Sequence, residues 1–161
     1  MEEKRKMGTD WKTLYDAHET EPEALPEAPE PPGQLVYNET IISHFRNPRH
    51  VGDMENPDGT ATVGDPSCGD FIQIFLKFNH ETIADLRYLV YGCPAAIATT
   101  SILSELAVGK TLDDALLLTD DDVIEAAGGI PANKAHCSLL GVVGLHTAIA
   151  DYLSRKERNA P

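Results

Sequence analysis

The chain has 161 residues, 42% of them apolar, which is enough for one core of ordinary size plus a tail. Its 26 acidic and 13 basic side chains give a net charge of −13, which argues against gripping a nucleic-acid backbone or an anionic membrane surface. The acidity suits solubility, or steering towards a basic protein partner.

Residues 19–32, ETEPEALPEAPEPP, hold five glutamates, five prolines and no base. Such a stretch lacks the apolar content to fold and predicts an extended linker. Ahead of it, WKTLYDAH (11–18) is either part of that linker or a docking motif. Residues 1–35 are therefore read as an acidic, flexible tail, and residues 36–156 as the folded domain. The tail has no apolar h-region of a secretory signal. No run in the chain approaches the ~18–20 continuous apolar residues of a membrane span.

Within the domain, Asn38 caps a short helix whose Ile41, Ile42 and Phe45 share one side, stopped by Asn47-Pro48. Three strands follow: TATVG (60–64), FIQIFLKF (71–78) and TIADLRYLVY (82–91), with Asn79-His80-Glu81 as a hairpin loop. The pattern then turns helical from Pro94, with Ile97, Ile102, Leu103 and Leu106 apolar and Gly109 as the stop. Thr111 and Thr119 start two short acidic helices, the second ended by Gly128-Gly129. A last helix spans about Ser138 to Arg155. Its Gly141 and Gly144 weaken it by roughly 1 kcal/mol each relative to Ala and permit close packing against another element or another protomer. Three strands followed by helices give an α+β fold: a small antiparallel three-stranded sheet packed with helices.

The three cysteines fall at the ends of these elements. Cys68 lies in the turn between the first two strands. Cys93 precedes Pro94 at a helix start, and Cys137 precedes the last helix. Helix N-termini favour thiolates, which are nucleophiles and soft-metal ligands. An odd cysteine count with no export signal argues against a disulfide framework, so the chain is read as cytoplasmic with reduced thiols. Asp70 and His136 sit beside two of the cysteines. If the loops converge, the five residues suit four-coordinate zinc or an iron–sulfur cluster. From spacing alone, three semi-buried cysteines of a cytosolic fold remain the competing reading. Lys134 either lowers neighbouring thiol pKa values, pairs with Asp70, or is a solvated loop lysine. His44, His50, His80 and His146 have no comparable setting and are read as surface or core residues.

Five segments carry a resemblance: YNETIISHFRNPRHVG (37–52), VGDPSCGD (63–70), YGCPAAIATTS (91–101), GKTLDDA (109–115) and KAHCS (134–138). From Tyr37 to about Tyr152 the chain resembles IscU/NifU-type iron–sulfur cluster assembly scaffolds, with their SufE/NifU-like fold. The resemblance implies a non-enzymatic scaffold. Cys68, Cys93 and Cys137 would ligate a nascent [2Fe–2S] cluster, with Asp70 or His136 completing the shell and zinc taking the same residues when the cluster is absent. It also implies a cysteine desulfurase that delivers sulfur as a persulfide, with Cys137 matching the usual acceptor. Iron enters, and the cluster passes to apo iron–sulfur proteins from a monomer or a transient homo-oligomer. Tyr37 matches a family aromatic near the desulfurase or self-association surface.

The chain departs from the family at IPANK (130–134), where many relatives carry a Leu-Pro-Pro-Val-Lys signature read by an Hsp70-type chaperone. Only the first proline and the lysine are kept, which points to release of the cluster without that partner. The alternative reading is a zinc-dependent, SufU-like sulfurtransferase. Such chains usually carry an insertion between the second and third cysteines and lack the histidine beside the third. The short gap and His136 favour the scaffold. A zinc hydrolase would need a general base such as glutamate beside the ligands, and none is there.

Overall fold

The computed structural model describes residues 36–65 and 69–160. The tail at 1–35, with WKTLYDAH, lies outside the described residues, and so does Cys68. A division of the chain falls between Gln34 and Leu35.

The first helix, α1 (Glu39–Arg46), starts as its sequence dictates. Asn38 Oδ1 accepts a hydrogen bond from the Ile41 N–H at 2.9 Å. The same side chain donates to the carbonyls of Ala127 (2.8 Å) and Gly129 (3.0 Å), tying the start of the domain to a distant glycine turn. The expected apolar side is narrower than its sequence suggests. Ile41 is 1% exposed, whereas Ile42 and Phe45 are 37% and 42% exposed. His44 is buried in their place, because this short helix leans on a single neighbour and buries only an i, i+3 stripe.

The three strands are β1 (Gly59–Asp65), β2 (Asp70–Asn79) and β3 (Thr82–Tyr91), antiparallel in the order β1-β2-β3. Ile72, Ile74 and Leu76 of β2 and Ile83, Leu86 and Tyr88 of β3 point to one face and are buried. Period-two alternation is what a sheet with one covered face requires. The hairpin is tighter than expected: Asn79 pairs with Thr82, leaving a two-residue turn in which His80 has φ 56.

Helices cover the buried face. α2 (Pro94–Ala107) ends ahead of Gly109, whose φ is 87. α3 (Leu112–Leu116) and α4 (Asp120–Ala126) are capped by Thr111 and Thr119, and Thr119 with Asp122 forms a capping box. After a 3-10 turn at Ala132–Lys134, α5 runs from Ala135 to Arg158, longer at both ends than its sequence suggests. By length and composition alone this region could cross a membrane. Its apolar side is committed to the fold instead. A Cβ on Gly144 would lie 3.0 Å from Ile74 and 3.1 Å from Val63, and one on Gly141 would lie 3.2 Å from Leu103. Both glycines therefore serve packing against this chain's own sheet and α2.

The turn after α1 is pinned to α2 by polar groups. His44 Nδ1 lies 2.8 Å from Ser101 Oγ, and the Arg49 N–H donates to that same oxygen at 2.9 Å. His44 Nε2 faces Glu105 at 3.6 Å. Burial pulls the His44 pKa below its ordinary value and Arg49 adds to this, while Glu105 opposes. The unfolded chain takes up this proton as pH falls below about 6.5, and the native state resists it. Stability from this group is therefore present above that pH and lost as pH falls through the window. Thermal melts are expected to drop by a few degrees between about pH 7.5 and about pH 5.5. In His44→Gln the drop should shrink, and an unchanged slope would assign the effect to other groups.

Candidate metal and sulfur centre

Asp70 opens β2 opposite Asp65, the last residue of β1. Gly69, just before it, has φ 74, a left-handed conformation that glycine adopts without strain. A side chain there would meet open space, so it is the backbone conformation that calls for glycine at this position. The Asp70 carboxyl is carried inward and is 2% exposed.

On the next strand, β3 runs through Tyr91 to Gly92, and Cys93 then serves as the N-cap of α2 ahead of Pro94. Asp70 Oδ1 accepts a hydrogen bond from the Cys93 backbone N–H at 3.1 Å. Its other oxygen, Oδ2, accepts from the Cys137 thiol at 3.3 Å. The sulfurs of Cys93 and Cys137 are 3.7 Å apart, and His136 Nε2 lies 3.5 Å from the Cys137 sulfur. One ligand atom each from Asp70, His136 and Cys137 lies within 4.8 Å of the others. Three segments far apart in the chain thus deliver soft and hard donors to one point, which is what a metal needs. A buried carboxyl of this kind is tolerable only with partners, and Asp70 has two.

Cys137 differs from its expected setting. α5 begins at Ala135, so Cys137 is the third helical residue and not the one before the helix. It is 0% exposed, under a small apolar cover made of Ala95, Ala96, Tyr37 and Val90. The helix start does not win here. Burial pushes the Cys137 thiol well above its ordinary value, and Cys93 and the hydrogen bond to Asp70 act in the same direction. Cys93, by contrast, is half-buried. Tyr37 is raised by burial and then by Cys93. The Lys134 pKa is raised, chiefly by the charge of Cys93. Lys134 forms no ion pair with Asp70 among the described residues. Of the remaining histidines, His50 bonds Ser104 at 3.0 Å and His80 sits in the hairpin, both away from this centre.

The structure thus brings together Asp70, Cys93, His136 and Cys137, with Lys134 and Tyr37 at the margin. Sequence reasoning gives Gly92 no role, although the carboxyl of Asp70 lies directly on it. The available signal was a glycine between a strand end and a Cys-Pro helix start.

A three-stranded α+β scaffold carrying a Cys/Asp/His donor set at its sheet end defines a known class. Residues 36–159 match the NifU-like N-terminal domain, and the chain belongs to that family. Among its relatives, "Iron-sulfur cluster assembly scaffold protein IscU 1" of Archaeoglobus fulgidus is 46% identical over 120 residues, covering 74% of this chain and 78% of that one. The IscU scaffold protein of Escherichia coli K12 is 41% identical over 127 residues, covering 76% of this chain and 98% of its own. The fold recurs in a Fervidobacterium islandicum protein described as an iron–sulfur cluster assembly scaffold of the SUF system (TM-score 0.58, 22% identity, 70% of this chain and 96% of that one). It recurs also in a NifU-like N-terminal domain from Brucella abortus (TM-score 0.55, 22% identity, 76% and 95%).

Proposed function

We propose that this chain is a scaffold on which a [2Fe–2S] cluster is assembled and from which it passes to apoproteins. One observation carries the reading: the convergence of Asp70, Cys93, His136 and Cys137 in a member of a family whose curated relatives are named IscU scaffolds. The cluster is cargo. Cys68, Cys93 and Cys137 supply thiolates for it, and Asp70 or His136 supplies the remaining, weaker donor. Zinc occupies the same residues when the cluster is absent.

Sulfur comes from a cysteine desulfurase. The Cys137 thiolate attacks the outer sulfur of the donor's persulfide, the S–S bond breaks, and the donor's cysteine leaves as a thiolate that takes up the proton Cys137 gave up. Because Cys137 is fully covered, part of its cover has to move before transfer. Lys134, two residues before His136, supplies a cation that lowers the cost of forming a thiolate. The domain at 36–156 does this work in the cytoplasm, and the acidic segment 1–35 acts as a solubilising tail. IPANK supports release of the cluster without the Hsp70-type chaperone.

Anaerobic reconstitution with ferrous iron, cysteine and a cysteine desulfurase tests the reading by visible absorbance and metal analysis. A reddish protein that passes its cluster to an apo-ferredoxin is the expected result. A colourless protein that keeps one tight zinc yet stimulates the desulfurase would overturn it in favour of a SufU-like sulfurtransferase.

A further inference from the structure

We propose that Gly92 is a positioning residue: its missing side chain is the space into which the Asp70 carboxyl fits, and this sets Asp70 against both Cys93 and Cys137. A Cβ built on Gly92 would lie 2.5 Å from Asp70 Oδ1, 3.0 Å from its carboxyl carbon and 3.1 Å from the Ala96 Cβ. Real Cβ atoms do not approach an oxygen at the first of these distances, so one of the two must move. The glycine is not there for backbone freedom, because Gly92, unlike Gly69, does not adopt a positive φ.

What would move is the carboxyl group. Its two oxygens are rigidly joined and both are engaged, Oδ1 by the Cys93 N–H at 3.1 Å and Oδ2 by the Cys137 thiol at 3.3 Å. Pushing Oδ1 off residue 92 therefore carries Oδ2 away from Cys137 as well. Gly92 acts on both cysteines through Asp70. The inference shares its site with the proposed scaffold function, and its first readout does not depend on that reading.

The test uses the full chain as Gly92→Ala, Asp70→Ala and the double variant. Amide hydrogen exchange at Cys93, followed by NMR on the metal-free protein, is the first readout. Loss of a hydrogen bond to a carboxyl should speed that exchange about tenfold in Gly92→Ala and equally in Asp70→Ala. The double variant should add nothing, because the alanine methyl then meets no carboxyl. The second readout is the visible spectrum of bound Co²⁺, in which Gly92→Ala should reproduce the change seen in Asp70→Ala. A Cys93 amide as protected in Gly92→Ala as in the wild type would overturn the inference, and so would additive effects in the double variant. If Gly92→Ala fails to fold, a folded double variant places the clash on Asp70. An unfolded double variant beside a folded Asp70→Ala assigns the glycine to packing on Ala96 and overturns the inference. If the exchange results hold while Asp70→Ala leaves the Co²⁺ spectrum unchanged, Asp70 is no metal ligand, and the positioning role of Gly92 stands.

Discussion

Asp70→Ala is expected to lengthen the life of an assembled cluster about tenfold. The physical reason lies in the metal-free state of the site. There the carboxyl accepts from the Cys93 backbone N–H at 3.1 Å and from the Cys137 thiol at 3.3 Å, so it stabilises the state in which Cys137 holds its proton and no metal. Such hydrogen bonds contribute about 1 kcal/mol each. Removing them makes the metal-free site less favourable relative to the loaded one, and loss of cargo is driven by that difference. As the proposed ligand Asp70 would also be the hardest donor in the set, and a carboxylate holds iron less firmly than a thiolate does. The check is the decay of visible absorbance after reconstitution, together with transfer to an apo-ferredoxin. Faster decay in the variant would contradict this account of Asp70.

Gly59→Ala should lower stability by about 3 kcal/mol, near the upper end of overpacking costs. A Cβ on Gly59 would collide with the Ala148 carbonyl oxygen and would lie 2.9 Å from the Tyr152 Cβ and 3.2 Å from its nitrogen. These atoms belong to the backbone of α5 or sit directly on it, so nothing can swing aside. The helix would have to lift from β1. A fall in melting temperature of roughly 10 °C is the expected size for a domain of this length. Gly144→Ala is the control. Its nearest neighbours are the Cδ1 of Ile74 and the Cγ2 of Val63, side-chain ends that can turn. Denaturant melts of the two variants should separate clearly, and equal losses would show that α5 shifts as easily at one end as at the other.

Local chemistry makes much of the fold legible. The three strand spans are readable because β2 and β3 alternate against one covered face, and Asn38, Thr111 and Thr119 cap where their side chains allow. What stays hidden depends on neighbours. Ile42 and Phe45 lie beside Ile41 on the helical wheel, yet only contact with α2 decides which residues are covered, and α2 offers Ser101 and Glu105 to His44. The start of α5 is hard to place from sequence because a 3-10 turn over Ala132–Lys134 leads directly into the helix with no capping side chain to announce it. For the site, the residue types are readable from the cysteines and their neighbours. The burial of Cys137 is not, since the cover over it comes from Tyr37, Val90 and the start of α2.

The donors reach their meeting point from the start of β2, from the junction of β3 with α2, and from the first turn of α5. That last helix docks across β1 and β2 and comes after the other two segments in chain order. A growing chain therefore carries Asp70 and Cys93 for some time with no partner from the third segment. Contacts this distant in sequence form late, after the loops between them have closed. The full set of donors therefore comes together only once α5 has docked on the sheet.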